Sequence, residues 1–239
     1  MKSKNIYSKI LRCQKCFLHK PLCICEDIQR LLYANKIKFH FVIHRKEWIT
    51  TSNTARIVAM TLSNKEIYTF ADGNPHEHLD LNKLPNDPNK TVIMFPLTGL
   101  EIDVDVDKKN LSENAKINTE NITDIIVPDG NWNNTKRMAK KLHIAIKAPF
   151  ITLKSDRLSK YRLRKQPDLK FLSTFEAVVQ AIKFFEEDVS KSHIENLFDL
   201  FDKFVDRSLW VNGRILEQDL KYPLDKTAKQ FFPNKIIHL

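Results

Sequence analysis

Neither the P-loop run G-x-x-x-x-G-K followed by Ser or Thr nor the dinucleotide fingerprint G-x-G-x-x-G occurs in this chain. It holds only four glycines, and the missing motifs argue against a P-loop enzyme or a standard Rossmann site. No uninterrupted apolar stretch approaches the roughly 20 residues a membrane-spanning helix needs, so a membrane span is excluded too. Met1 is followed by Lys-Ser-Lys-Asn and not by an apolar signal segment, which points to a reducing compartment, the cytoplasm. Acidic residues are outnumbered, 29 against 39 Lys and Arg, and the net charge of +10 points to a polyanionic partner, nucleic acid first. Asp103-Val-Asp-Val-Asp107 is not a calcium loop, because Lys108 stands where glycine is needed and Asn114 where glutamate would chelate. Residues 101–124 therefore read as a solvated acidic loop, and His76-Glu-His78 as a surface turn beside Pro75.

Cysteine is missing everywhere except between residues 13 and 25, where Cys13-Gln-Lys-Cys16 is followed by Cys23-Ile-Cys25. Two thiolates separated by two residues can face one ion, and a second pair completes the tetrahedron that zinc prefers. The second pair is Cys-x-Cys, tighter than the usual knuckle. The alternative, a pair of disulfides, fits an oxidising compartment. His19 is near enough in sequence to replace one sulfur. Four sulfurs leave no open position, so the site reads as structural. The length suits one substantial core with a small appendage. The expected division is residues 1–30 as zinc-binding segment, 36–211 as main domain and 212–239 as C-terminal tail.

Strands are predicted at Lys38–Ile43, Glu66–Phe70, Thr91–Phe95, Asp124–Val127 and Phe150–Leu153. Helices are predicted from about Asn53 to Leu62, Asn133 to His143, and from two capping boxes, Ser173-Thr-Phe-Glu176 and Ser192-His-Ile-Glu195. Alternating strands and helices imply an α/β fold, a mainly parallel sheet with helices on both faces. In such a sheet ligands lie outside the carboxyl ends of the strands. Those ends carry Pro96-Leu-Thr-Gly99, Pro128-Asp-Gly-Asn-Trp132, and a loop with Lys154, Arg157, Lys160, Arg162, Arg164 and Lys165. A second basic run, Lys136, Arg137, Lys140 and Lys141, shares one broad helix face. The last predicted helix places Ile194, Leu197, Phe198, Phe201, Phe204 and Val205 at core spacing.

Taken together and in order, several segments carry a family resemblance. They are the cysteine quartet, His44-x-x-Glu47 with Asn53-Thr54-x-Arg56, Pro96-Leu-Thr-Gly99, Asp129-Gly-Asn-Trp132, and Tyr161-Arg-Leu-Arg-Lys-Gln-Pro167 leading to Ser173-Thr-Phe-Glu-Ala177. The chain resembles the DTW-domain family of tRNA-uridine aminocarboxypropyltransferases over about residues 12 to 185. The eponymous run is Asp-x-Thr-Trp, and here Asn131 holds the threonine position, so a polar side chain is retained.

The resemblance implies a SPOUT-like domain with a knotted carboxyl half that binds S-adenosylmethionine and moves its 3-amino-3-carboxypropyl group onto the ring imide of a tRNA uridine. Zinc would be held by Cys13, Cys16, Cys23 and Cys25. Asp129 is the candidate base, or a ligand of the transferred amino group, unless it only caps the next helix. Trp132 is the candidate stacking partner of uracil or adenine. Leu97, Thr98, Gly99, Gly130 and Arg164 are expected around the donor, and Arg56, Lys136, Arg137, Arg157, Arg162 and Lys165 against tRNA. Glu176 ranks below Asp129, since it caps its own helix. Two other functions fit the residues: a methyltransferase of similar fold, and a zinc-containing RNA-binding module without activity.

Overall fold

The computed structural model describes residues 12–71, 79–96, 101–105, 110–111, 118–154, 157–164 and 171–232. Leu97, Thr98, Gly99, Lys165 and the His76-Glu-His78 turn lie outside the described residues. The strands are β1 (Lys38–His44), β2 (Lys65–Phe70), β3 (Thr91–Met94), β4 (Glu101–Asp105), β5 (Asn110–Leu111), β6 (Asp124–Asp129) and β7 (Phe150–Lys154). They form one sheet in the order β2-β1-β6-β3-β7-β4-β5. Every pairing is parallel except β4 with β5. The solvated acidic loop expected over residues 101–124 is therefore corrected: β4 extends the sheet beside β7, and Asp124 opens β6. Ile102 and Val104 alternate with acidic residues there, and that period of two is a strand pattern.

The helices are α1 (Cys25–Arg30), α2 (Arg45–Trp48), α3 (Thr54–Ala59), α4 (Trp132–Ile146), α5 (Thr174–Phe185), α6 (Lys191–Val211) and α7 (Lys226–Gln230). Strand residues alternate between two cores. Phe39, Phe41, Ile43, Ile125 and Val127 face a larger core with α3, α5 and α6. Val42, Ile93, Ile126 and Phe150 face a smaller one closed by Met138, Ala139, Leu142 and Ile146 of α4. Each fully buried large apolar side chain contributes roughly 1.5–3 kcal/mol, so the sheet sandwiched between these layers is the rigid platform of the molecule.

Local signals explain the helix boundaries. Ser173 and Glu176 form the reciprocal capping box expected for α5. The cap of α6 is Ser190 and not Ser192: the Ser190 hydroxyl oxygen accepts from His193 N–H, which starts the helix two residues earlier. The core spacing predicted for α6 holds, with all six apolar positions buried.

The two chain ends join the same large core. Leu18, Leu22, Ile24 and Ile28 of the cysteine segment pack in it, as do Leu220, Leu224, Ala228 and Phe232 from the tail. Arg207 of α6 clips the cysteine segment down by donating to the carbonyls of Leu22 and Cys23.

Candidate functional site

The β3–β6 ladder stops at Ile93 opposite Ile126, and Pro128, two residues further on, has no N–H to continue it. The strands part there, and Asp129 and Gly130 emerge at the carboxyl end of the central strand. A methyl group on Gly130 would meet Thr135 Oγ1 at 3.1 Å and the His44 Cβ at 3.2 Å, so glycine lets this turn pass closely under its neighbours.

Two adjoining cavities open at this point. One, of about 200 Å³, lies between β3, β6 and β7 and is walled by Phe95, Trp132, Ile151, Leu153 and Phe171. The other, of about 280 Å³, carries the polar side chains of Glu47, Ser52, Asn53, Tyr161 and Arg164 on its wall. Asp129, Gly130, Trp132, Phe171 and Thr174 line both. Trp132 is wedged between Phe95 and Phe171, with ring centroids 5.3 and 5.2 Å away, yet it stays 42% exposed. That leaves aromatic surface for a ligand.

Asp129 is buried and held from both sides. Thr174 Oγ1 donates to Oδ1 at 2.6 Å and Asn53 Nδ2 donates to Oδ2 at 2.6 Å. Burial lifts its carboxyl to about 6, against the lowering effect of those two hydrogen bonds; nearby Glu47 raises it further and Arg164 lowers it. A carboxylate titrating near 6 is ionised at neutral pH yet basic enough to accept a proton. The reading of Asp129 as a helix cap is corrected, because the cap of α4 is Asn131, whose Oδ1 accepts from Asn134 N–H at 2.9 Å. Threonine or asparagine does this work equally well. The departure from the family motif therefore keeps a capping acceptor in place.

In the second cavity Arg164 is fixed by Glu47, Ser52 and Thr50. Its Nη2 donates to Glu47 Oε2 at 2.6 Å, Ser52 Oγ at 2.8 Å and Thr50 Oγ1 at 3.2 Å. Tyr161 donates to the Ser52 carbonyl at 3.1 Å, and burial pushes its phenol up to about 12, so it stays neutral. Glu176, buried in its capping box, accepts from Ser159 Oγ and Lys160 N–H and moors the basic loop to α5.

The residues expected to meet RNA separate into groups. Lys136 and Arg137 are exposed on α4, whose first residue, Trp132, lines both cavities. Arg157 lays its guanidinium over the Phe198 ring, 3.6 Å from the centroid. Arg162 forms an ion pair with Asp206 Oδ1 at 2.5 Å while its side chain stays 55% exposed. Arg56 is buried, 4% exposed, with its guanidinium 3.6 Å over the Phe17 ring and 4.8 Å from that of Trp48. Burial brings its guanidinium down to about 10. Glu47, Ser52, Thr174 and Phe171 were not singled out as site residues from the sequence. Thr174 stood inside the capping run, where its helix role masked its second partner.

The four cysteine sulfurs converge, all within 4.8 Å of one another. Cys13 and Cys25 are 3.6 Å apart and Cys16 and Cys23 3.8 Å. Four sulfurs each about 2.3 Å from a zinc ion sit about 3.8 Å apart, so the cluster fits zinc. A disulfide needs about 2.05 Å, and all four are free thiols. Burial opposes ionisation of Cys13, but hydrogen bonds from the N–H groups of Cys16 and Lys15 and from Cys23 and Cys25 bring it down to about 7. Burial pushes Cys16 up to about 12 and raises Cys25 as well. One thiolate forms readily, and a cation among the sulfurs is what would let the others follow. His19, the possible substitute ligand, is buried edge-on against Phe232.

An open parallel α/β sheet with its cavities and a titratable carboxyl at the carboxyl ends of central strands has the layout of the ligand-binding α/β proteins. The chain belongs to the DTW-domain family, whose sequence model matches residues 10–209. The family supports a general role in tRNA modification. No solved structure matches the chain. Among the described residues, no helix is long and apolar enough to cross a membrane.

Proposed function

We propose that this protein transfers the 3-amino-3-carboxypropyl group of S-adenosylmethionine to the imide nitrogen of a tRNA uridine. The observation that carries this reading is Asp129, a buried carboxyl titrating near 6 on the wall common to the two adjoining cavities. The donor supplies an electrophilic carbon beside its sulfonium. Phe95, Phe171, Ile151 and Leu153 offer the apolar walls an adenosine group needs, and Leu97, Thr98 and Gly99, which follow β3 in the sequence, are the further residues proposed for the donor. Arg164, presented by Glu47 and Ser52, is the cation for the carboxylate of the transferred chain or for a tRNA phosphate.

Asp129 takes the imide proton of the uracil while Asn53 and Thr174 hold its oxygens in place. The nitrogen–carbon bond then forms as the carbon–sulfur bond breaks, and methylthioadenosine leaves with the electron pair. Trp132 gives the extruded base a face to stack on. Lys136 and Arg137 extend the positive surface from the cavity mouth along α4. Zinc, held by Cys13, Cys16, Cys23 and Cys25, is structural. The reading includes a SPOUT-like knotted carboxyl half and a division at residues 30 and 211, which an experimental backbone trace between Leu153 and Thr174 and limited proteolysis would test respectively.

The deciding experiment incubates the zinc-loaded protein with unmodified tRNA and S-adenosylmethionine and analyses the nucleosides by mass spectrometry. Aminocarboxypropyluridine with released methylthioadenosine is the expected result. Methyluridine would replace the reading with methyl transfer, and an unmodified tRNA pool would replace it with a binding module.

A further inference from the structure

A third cavity, of about 420 Å³, lies apart from the Asp129 site, between the cysteine turn, α1, α2, α3 and β2. Its size falls in the range of roughly 300–1,000 Å³ typical of small-molecule sites. Its walls combine three kinds of chemistry: the cations Lys15, Lys65 and Arg56, the carboxamides Gln14 and Gln29, and the aromatic Trp48. Among the described residues that line it, none is acidic.

Arg56 forms the floor. It is 4% exposed, and its Nη2 has no hydrogen-bond partner among the described residues. Among the described residues no carboxylate pairs with it, and a buried cation so placed is costly unless an anion answers it. Among the described residues its Nη1 donates to the Thr50 carbonyl at 3.3 Å, and its guanidinium also lies over the Phe17 and Trp48 rings. The charge is thus incompletely satisfied by the protein. Lys65 donates to the Leu62 carbonyl, which tethers its ammonium at the rim.

We infer that this cavity receives one phosphate-bearing nucleotide of the RNA at a distance from the modified uridine. The inference rests on the tRNA reading above. Cations draw the phosphate, Trp48 gives the base a face, and Gln14 and Gln29 carry donors and acceptors for a base edge. The two sites share α2, from which Glu47 lines the second cavity and Trp48 lines this one. They also share Asn53, whose side chain accepts from Arg56 N–H at 2.7 Å and donates to Asp129. RNA held here is registered against the catalytic carboxyl through one short stretch of backbone.

The test measures binding of unmodified tRNA transcripts to zinc-loaded protein over a range of potassium chloride, alongside binding of S-adenosylmethionine. Lys65→Glu is expected to weaken tRNA binding about tenfold and to lower the slope of log K against log salt by about one. Donor affinity stays unchanged. Gln29→Glu, an exposed position on α1, is the second variant and gives the same direction should Lys65→Glu lose zinc or fold. Lys90→Glu, which makes the same charge change on the turn before β3, leaves tRNA binding within twofold. Wild-type tRNA affinity in both cavity variants overturns this inference while leaving the proposed reaction standing. A wild-type protein that modifies no uridine and binds no tRNA overturns both.

Discussion

Two sites in this protein, the mostly half-buried cysteine cluster and the buried carboxyl of Asp129, hold titratable groups in opposite ways. The four sulfurs lie within 4.8 Å of one another, burial and mutual repulsion oppose ionisation of Cys16 and Cys25, and the cluster is of a size to close around a cation. Asp129 is also buried, yet it is surrounded by neutral donors, Asn53 and Thr174, with Arg164 at longer range. The first arrangement fixes charge permanently and suits architecture. The second leaves a carboxyl poised to gain and lose a proton, and suits chemistry.

The largest effect that would break this comparison is metal removal. Structural zinc supplies about 10–16 kcal/mol to isolated zinc-finger peptides. Here the segment also packs in the main core, so chelation or Cys16→Ser is expected to lower the thermal midpoint by well over 10 °C. An unchanged midpoint in calorimetry with and without chelator would show that the sulfurs need no ion.

Asp129→Asn sharpens the other side. Turnover is expected to fall about a thousandfold, within the range for loss of a general base, while donor affinity by calorimetry holds. Its stability change has a definite sign. The folded carboxyl titrates at about 6, above the usual ~3.9 of an unfolded aspartate. Ionised Asp129 therefore costs stability, a cost absent below about pH 4 and full above about pH 6. Asparagine can accept from Asn53 and donate to Thr174, so the variant should be more stable than wild type by about 1–3 kcal/mol at pH 8 and equal to it at pH 4. Wild-type activity should fall as pH drops through 6, and denaturant melts and rate profiles at both ends of that range check the pair of claims.

Arg56 lies between the clusters, its guanidinium on Phe17 of the cysteine turn and its backbone N–H on Asn53. Arg56→Ala is expected to cost about 2–4 kcal/mol through lost stacking and packing; urea unfolding would read it, and a loss under 0.5 kcal/mol would mean the two clusters are not joined there. The smallest effect concerns the α4 cap. Asn131→Ala should cost about 1 kcal/mol and Asn131→Thr almost nothing, again by denaturant melts.

The central strands and Asp129 were legible in the sequence because short apolar runs mark buried parallel strands and strand ends mark sites. Strand β4, second from the sheet edge, was not, since its alternating acidic residues read as a solvated loop. Nor were the carboxylate's partners: Asn53 and Thr174 stand 76 and 45 positions from Asp129, and the Glu47–Arg164 pair is separated by 117. No local pattern reports contacts made by folding over such distances. The burial of Arg56 was hidden for a related reason, as its aromatic neighbour Phe17 comes from the cysteine turn.

Asn131 also changes how relatives of this chain should be searched for. The second letter of the family's name marks a place that asks for a short side chain with an oxygen acceptor, so serine, aspartate and asparagine satisfy it as well as threonine, and valine, its near-isostere, does not. A search that spells the motif literally will pass over members such as this one, whereas one that fixes the first aspartate and the tryptophan and admits any helix-capping residue between them will find them.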